Sequence, residues 1–182
     1  MVSQKLKILI YGSAMWALAE GMLGPLFAVF TQRIGGDIFD ITWAWATYLL
    51  IMGIVVIVIG KISDVKKRKV KIMVFGYGLN ALFTFGYLFV RSPIHLFIIQ
   101  AGLGIATAMT APTWASLYSL HGNQKQKCYE WGLVDGIAHI LEAAGIIIGG
   151  FIVAYLGFNV LFITMGTIQT ISTIYQLKLL RK

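Results

Sequence analysis

The sequence predicts an all-α membrane protein with six transmembrane helices. Three observations support this class: 58% of the 182 residues are hydrophobic, only 12% are charged, and the apolar runs are long enough to span a bilayer. A soluble domain carries about 25% charged residues and leaves roughly a third of its chain surface in water after folding. The composition therefore excludes a soluble enzyme, an autonomous nucleic-acid-binding module and a disordered chain.

Six segments reach the length of about 20 apolar residues that a helix needs to cross a hydrocarbon core of ~30 Å. Apolar and polar side chains do not alternate in them, which disfavours a β-barrel. The predicted spans are Ile8–Phe30, Ile41–Gly60, Val70–Val90, Ile94–Tyr118, Trp131–Leu156 and Phe158–Leu177. The links between them are short, so consecutive helices should pack antiparallel, and residues 1–182 should form one domain.

Basic residues lie almost entirely on one side of the predicted membrane. Of the 15 Lys and Arg residues, 13 lie on the side of both termini, and only Arg33 and Arg91 lie on the other. The positive-inside rule then predicts that both termini are cytoplasmic, in a multi-pass protein of the cell (inner or plasma) membrane. This topology accounts for the net charge of +8, so we expect no nucleic-acid partner.

The first span has an alternative interpretation. Met1–Lys7 is basic, the residues after it are apolar, and Ala17-Leu18-Ala19 resembles a signal-peptide cleavage site. Cleavage there would make Glu20 the first residue of the mature chain. The apolar run continues to Phe30, however, and we therefore predict a transmembrane span.

The link between the second and third spans reads Gly60-Lys61-Ile62-Ser63-Asp64-Val65-Lys66-Lys67-Arg68-Lys69. It resembles the major facilitator superfamily signature G-x-L-x-D-R-x-G-R-K at the same place, with Val65 and Lys67 departing from the pattern. Two later stretches are similar to further motifs of that family. Residues 145–150 resemble G-P-x-x-G-G with Ile146 in place of Pro, and residues 157–162 resemble the turn that starts its sixth helix.

The resemblance implies half of a major facilitator superfamily fold. In that family two six-helix bundles, each built from 3+3 inverted repeats, surround a central pathway. Pro25 and Pro112 lie 17 and 18 residues after the start of the first helix of each predicted triplet. We expect them to interrupt the helices that line the pathway. The alternative is that they only reflect the frequency of proline in membrane helices.

Ionisable side chains inside the spans are the candidate transport residues. Glu20 and Glu142 lie near the middle of the first and fifth spans, where a charge costs roughly 2.5–3.5 kcal/mol. Asp135, His139 and Glu142 are spaced i, i+4, i+7, which places them within about 60° on one helix face. We interpret Glu20 and this row as groups that bind and transfer protons. The alternative is a structural polar stripe in which His139 bonds to Glu142.

The resemblance also implies roles for other residues. Because the first and fourth helices line the cavity in the family, it implies that Gln100, Thr107, Thr110 and Trp114 are cavity-lining. The family's frequent Arg in the fourth helix is absent. The loop residues Gly60, Asp64 and Arg68 take the family's gating role by resemblance. From their residue types alone, Trp43, Trp45 and Tyr48 fit an interfacial aromatic belt. Close helix packing is the expected role of Gly132, Gly136, Gly145, Gly149 and Gly150.

A single six-helix bundle would expose its polar pathway face to lipid, at a high energetic cost. We therefore expect a secondary active transporter of a small solute that works by alternating access as a parallel homodimer. Its two-fold axis would lie along the membrane normal, and protons are a candidate coupling ion. The alternatives are an excised half of a twelve-helix transporter, a half that pairs with a different partner, and a non-transporting membrane assembly or sensor protein.

Catalysis and bound cofactors have little support in the sequence. No Ser/His, Asp/Asp or His-cluster motif occurs at a catalytic spacing, so we predict that the chain is not an enzyme. With one cysteine and three scattered histidines we expect no metal site, and no motif calls for a cofactor.

Overall fold

The computed structural model describes residues 4–66, 68–121 and 127–180. Within these ranges the chain is helical and has no strand. The helices are α1 (Gln4–Gly21), α2 (Leu26–Arg33), α3 (Ile38–Lys66), α4 (Lys69–Gly86), α5 (Pro93–His121), α6 (Lys127–Leu156) and α7 (Phe158–Gln176), with short 3₁₀ turns at Tyr87–Phe89 and Leu177–Leu180. In the described part, α3 to α7 are each long and apolar enough to cross a membrane, and the bent pair α1–α2 gives a sixth span. The all-α class is confirmed.

The first span, predicted over Ile8–Phe30, is broken next to Pro25, where an interruption was expected. The axes of α1 and α2 differ by 48° across the break after Gly21. Pro25 has no backbone N–H to donate, and its ring would clash with the carbonyl of Gly21, four residues earlier. Gly24 beside it further weakens the helix.

Pro112 does not interrupt its helix, which corrects the expectation that both prolines would act alike. It lies inside the continuous helix α5. The Thr113 hydroxyl beside it shares its one hydrogen between the carbonyls of Met109 (2.6 Å) and Thr110 (3.0 Å). The carbonyl that Pro112 leaves without a backbone donor is that of Ala108, four residues earlier, and the helix continues past it.

The helices form an open arc around the centre of the bundle. Along the arc, α6 packs on α1, α1 on α7, α7 on α4, α4 on α5, and α5 on α3. The two helices at the ends of the arc, α3 and α6, are not packed against each other, and α1 and α5 touch only slightly across the centre. A gap therefore separates α3 from α6.

The packing has the symmetry expected for inverted repeats. The bent pair α1–α2 counts as one span, so α1–α4 and α5–α7 are two triplets of spans. Exchanging α1 with α5, α3 with α6 and α4 with α7 turns the packed pair α1/α6 into α5/α3, and α1/α7 into α5/α4, which are also packed. The pair α4/α7 becomes itself. A two-fold axis in the membrane plane produces this pattern, so the structure agrees with the predicted 3+3 organisation.

Antiparallel packing brings most of the basic residues to one end of the bundle, which we call the basic end. There the starts of α1, α4 and α6 meet the ends of α3, α5 and α7. Lys67, Lys125, Arg181 and Lys182 belong to the predicted basic side but lie outside the described residues. That the basic end faces the cytoplasm stays a prediction.

Aromatic clusters hold both ends of the bundle together. At the end opposite to the basic one, Phe162 stacks on Tyr87 and meets Phe30 edge-on, both with ring centroids 4.9 Å apart. At the basic end, Trp114 stacks on Tyr118 at 5.1 Å, and Trp131 meets Tyr118 edge-on at 4.9 Å. Each such pair adds about 0.5–1.5 kcal/mol beyond area burial.

Glycines allow the backbones of α1 and α6 to touch. A Cβ atom on Gly21 would overlap the backbone of Glu142, and one on Gly145 or Gly149 would overlap the backbone of α1 at Leu18 or Met22. Small residues permit such close crossings in membranes. Of the five glycines predicted to pack, only Gly145 and Gly149 do so within this chain. The others, Gly132, Gly136 and Gly150, meet open space.

Candidate functional site

A cavity of about 90 Å³ lies inside the arc, with walls from the α1–α2 break and from α3 to α7. Its polar lining residues are Glu20, Thr84, Gln100 and Glu142. Its aromatic lining residues are Phe27, Trp45, Tyr48 and Tyr87. Among the described residues that line it there is no Lys, Arg or His. The cavity thus combines two carboxyl groups with four aromatic rings.

The crossing of α1 and α6 positions the two carboxyl groups. Glu20 is partly buried in the last turn of α1, just before the break, and the next residue, Gly21, contacts the backbone of Glu142. Glu142 is more open, with 48% of its side chain exposed. Two candidate residues from different helices, Glu20 and Glu142, therefore line one cavity.

The other members of the predicted row on α6 lie outside the cavity. Asp135 is exposed, and 79% of the His139 side chain is exposed. His139 Nδ1 lies 3.4 Å from Glu142 Oε2, the contact that the structural alternative expected. The row therefore runs along the outer surface of α6 and meets the cavity only at Glu142.

Two aromatic residues of α3 belong to the cavity, which corrects their assignment to an interfacial belt. The Trp45 ring lies 5.8 Å from Phe27 and 5.6 Å from Tyr48, and all three line the cavity. Trp43 does not line it and is 64% exposed. The i, i+3 spacing of Trp45 and Tyr48 was the available signal, because it puts both rings on one helix face.

On α5, the structure separates the four residues implied to line the cavity. Gln100 lines it and is only 2% exposed. Thr107 and Thr110 are buried but are not among its lining residues, and Thr110 donates a hydrogen bond to the Thr107 carbonyl at 3.0 Å. Trp114 lies at the basic end, where its Nε1 donates to the Leu9 carbonyl at 3.3 Å. Of the four, only Gln100 lines the cavity.

Comparison with known proteins decides the family. The family model described as Major Facilitator Superfamily matches residues 9–182, which is nearly the whole chain. The chain belongs to the Major Facilitator Superfamily. This confirms the resemblance, and the six-helix architecture is that of half a fold of this superfamily.

A curated relative is also named as a transporter of this superfamily's type. The chain is 23% identical over 159 residues to an uncharacterised MFS-type transporter of Methanocaldococcus jannaschii. The match covers 86% of this chain and 40% of the relative. The chain therefore spans less than half the length of that relative.

The superfamily's signature loop contains an ion pair in this chain. Lys69 Nζ lies 2.8 Å from Asp64 Oδ1 and also donates to Ser116 Oγ of α5 at 2.7 Å. Arg68, the implied partner in gating, is exposed. The Cβ position of Gly60 meets open space. Lys69 thus ties the loop to the end of α5. The sequence matched Lys69 to the family signature but gave it no gating role.

The Asp64–Lys69 pair should couple weakly. Because 72% of the Asp64 side chain is exposed, we expect a double-mutant cycle with Asp64→Asn and Lys69→Met to give about 0–1 kcal/mol, decreasing with added salt. Unfolding in detergent measures it. The same cycle with Lys71→Met, also on α4, is the control and should give none. A coupling above about 3 kcal/mol, the size expected of a buried pair, would contradict this interpretation.

Proposed function

We propose that this member of the superfamily is a secondary active transporter of a small solute. It works as a parallel homodimer that alternates between two openings around a central site. The observation that carries the proposal is the cavity lined by Glu20 and Glu142, which lies beside the gap between α3 and α6. Superfamily membership and the relative's name support transport in general.

The need for a second bundle is supported by the exposure of α3 and α6. Only 6% of the central apolar stretch of α3 and 11% of that of α6 are buried, against 39–50% in α4, α5 and α7. Glu142 and His139 lie on this uncovered side, where lipid contact is costly for polar groups. A second bundle across the gap would cover these side chains and enclose the cavity.

Glycines on the uncovered helices support close packing with that bundle. Gly53 and Gly60 on α3 and Gly132, Gly136 and Gly150 on α6 have no neighbour within 4 Å of an added Cβ. A two-fold axis along the membrane normal would place α3 of each copy against α6 of the other. A second half of a longer chain, or a different partner, could occupy the same place, and the length of the relative keeps these alternatives open.

In the proposed mechanism, Glu20 and Glu142 bind the solute or protons, and their charge state favours one of the two openings. Asp135 and His139 provide proton-binding groups between the basic end and Glu142, on the covered side of the assembled pair. The ion pair between Asp64 and Lys69 is formed in one state and broken in the other, and at about 0–1 kcal/mol it biases the two openings by no more than about fivefold.

Transport is tested in proteoliposomes with an imposed pH gradient. A panel of cationic, anionic and uncharged solutes is supplied, and solute-dependent proton flux and solute uptake are measured. We expect at least one class to move, with saturation. If no class moves and no proton flux appears, the transport proposal is wrong, and a non-transporting assembly or sensor protein takes its place.

Cross-linking tests the homodimer. Ile57 and Gly136 lie nine residues from the basic ends of α3 and α6 and are on the uncovered helices. In a Cys128→Ser background, a chain with Ile57→Cys and Gly136→Cys should form covalent dimers in native membranes with a short bis-maleimide. The control chain carries Phe75→Cys and Ile171→Cys, exposed positions on α4 and α7, and should stay monomeric. Monomers alone from both chains would refute the homodimer.

A further inference from the structure

We infer that the cavity takes a monovalent organic cation with a small alkylammonium headgroup, held by Glu20 and Glu142 and by the surrounding aromatic rings. This inference rests on the proposed function, since it names the class of solute. It depends on three features of the cavity: its charge, its aromatic walls and its size.

Charge favours a cation over an anion or a neutral solute. Two carboxyl groups line the cavity, and no Lys, Arg or His is among the described lining residues. The nearest basic group on α6 is His139, which contacts Glu142 from the outer surface. Arg33 lies at the end opposite to the basic one, over the ring of Phe158 at 5.6 Å. An anion would therefore meet uncompensated negative charge, whereas a monovalent cation would offset the charge of one carboxylate, with the other free to bind a proton.

Aromatic walls favour an organic cation over a metal ion. Phe27, Trp45 and Tyr48 form a connected group, with ring centroids 5.6–5.8 Å apart. Tyr87 adds a fourth ring. Rings of this kind attract alkylammonium groups through their electron-rich faces, and tryptophan does so most strongly. Hard metal ions such as Ca²⁺ and Mg²⁺ instead need several oxygen ligands that surround the ion.

Size and the buried amide limit the headgroup. The cavity of about 90 Å³ holds a group of a few heavy atoms, and the rest of the solute would extend into the gap between α3 and α6. Gln100 is only 2% exposed, and it adds an amide side chain to the lining residues. The side-chain carbonyl of Gln100 can accept a hydrogen bond from the N–H of a primary or secondary ammonium. A quaternary ammonium has no N–H, but a hydroxyl group on the same solute can donate instead.

Binding of choline to the full chain in an uncharged maltoside detergent tests the inference, because this detergent neither concentrates cations at its surface nor supplies an ammonium group that would compete. Radiolabelled choline is displaced with tetramethylammonium, with acetate, and with 3,3-dimethylbutan-1-ol, the uncharged carbon isostere of choline. We expect displacement by the cation and at least tenfold weaker displacement by the isostere. Equal displacement by the isostere, or no choline binding, overturns the inference.

Variants separate the contributions of charge and rings. Glu20→Gln and Glu142→Gln should each weaken choline binding by roughly thirtyfold or more, whereas Glu130→Gln, outside the cavity, should not change it. Trp45→Leu should weaken it by roughly 3- to 30-fold, and Trp45→Phe by less. Trp43→Leu is the matched control and should bind as the wild type does. Thermal unfolding is measured for every variant, and should one fail to fold, the displacement series on the wild type still decides.

The outcomes distinguish this inference from the proposal beneath it. Choline binding with these variant effects, but without flux of any solute, supports the cation site and refutes transport. Saturable flux of an anionic or uncharged solute without choline binding refutes the cation site and leaves transport standing.

Discussion

Replacing Glu142 by glutamine is expected to stop coupled transport and to leave the six-helix bundle folded. Glutamine has nearly the same size as glutamate, but it carries no charge and does not bind or release a proton near neutral pH. In the proposed pair, where a second bundle covers Glu142, removing one partner of a charge interaction costs about 2–5 kcal/mol, which is roughly a thirtyfold to several-thousandfold loss of activity. Glu20→Gln should act in the same way, because both carboxyl groups line one cavity.

The fold should not suffer in either variant. Glu142 is half-exposed and makes no contact shorter than the 3.4 Å to His139 among its described side-chain contacts. At Glu20, the substitution removes a charge that costs roughly 2.5–3.5 kcal/mol near the bilayer centre. We therefore expect the unfolding temperature in detergent to stay constant or to rise. Flux in proteoliposomes and thermal unfolding are measured on the same preparations.

Glu130→Gln provides the matched control. Glu130 lies on the same helix as Glu142, near the basic end, and does not line the cavity. This variant should transport at the rate of the wild type. Normal coupled transport by both cavity variants would show that neither carboxyl group takes part, even with the fold as described.

A methyl group at Gly145 should disrupt the crossing of α1 and α6. Because a Cβ there would overlap the Leu18 carbonyl, the backbones must move apart. Overpacking of this kind costs about 1–3 kcal/mol. The shift would also separate Glu20 from Glu142, so Gly145→Ala should lower both the stability and the transport rate.

Gly150→Ala is the control for this second prediction. Gly150 lies on α6 as well, but its added Cβ meets nothing within 4 Å. Alanine is the better helix former by about 0.5–1 kcal/mol, so the control should be slightly stabilised as a protomer in detergent. Tryptophan fluorescence during unfolding measures both variants. If Gly145→Ala is as stable as the control, the close crossing is wrong.

The spans were predictable because the bilayer imposes a simple rule on every helix. Apolar length and the position of Lys and Arg place helices over nearly the same residues as the structure does. The break after Gly21 was only partly predictable. Pro25 and Pro112 look alike in sequence, but Gly21 and Gly24 surround one and Thr110 and Thr113 surround the other.

The candidate site was predictable where a residue type is costly in lipid. Glu20 and Glu142 stand out because a carboxyl group inside a span is energetically costly and is therefore rare unless it has a function. The sequence does not mark the other lining residues Trp45, Thr84 and Tyr87 in this way. Residues of these types are equally common in an interfacial aromatic belt, in the bundle core and in the wall of a cavity. The buried polar residues Gln169, Ser172 and Gln176 of α7 went unnoticed, although their i, i+3, i+7 spacing places them on one face.

The sequence by itself determined the membrane class, the number of spans and the carboxyl groups that require burial, because these follow from the transfer of side chains between water and lipid. Only the tertiary structure decided that α3 and α6 end an open arc, that Glu20 and Glu142 line one cavity, and that Lys69 is the partner of Asp64. Contacts between helices depend on how their surfaces fit together, and no single helix contains that information.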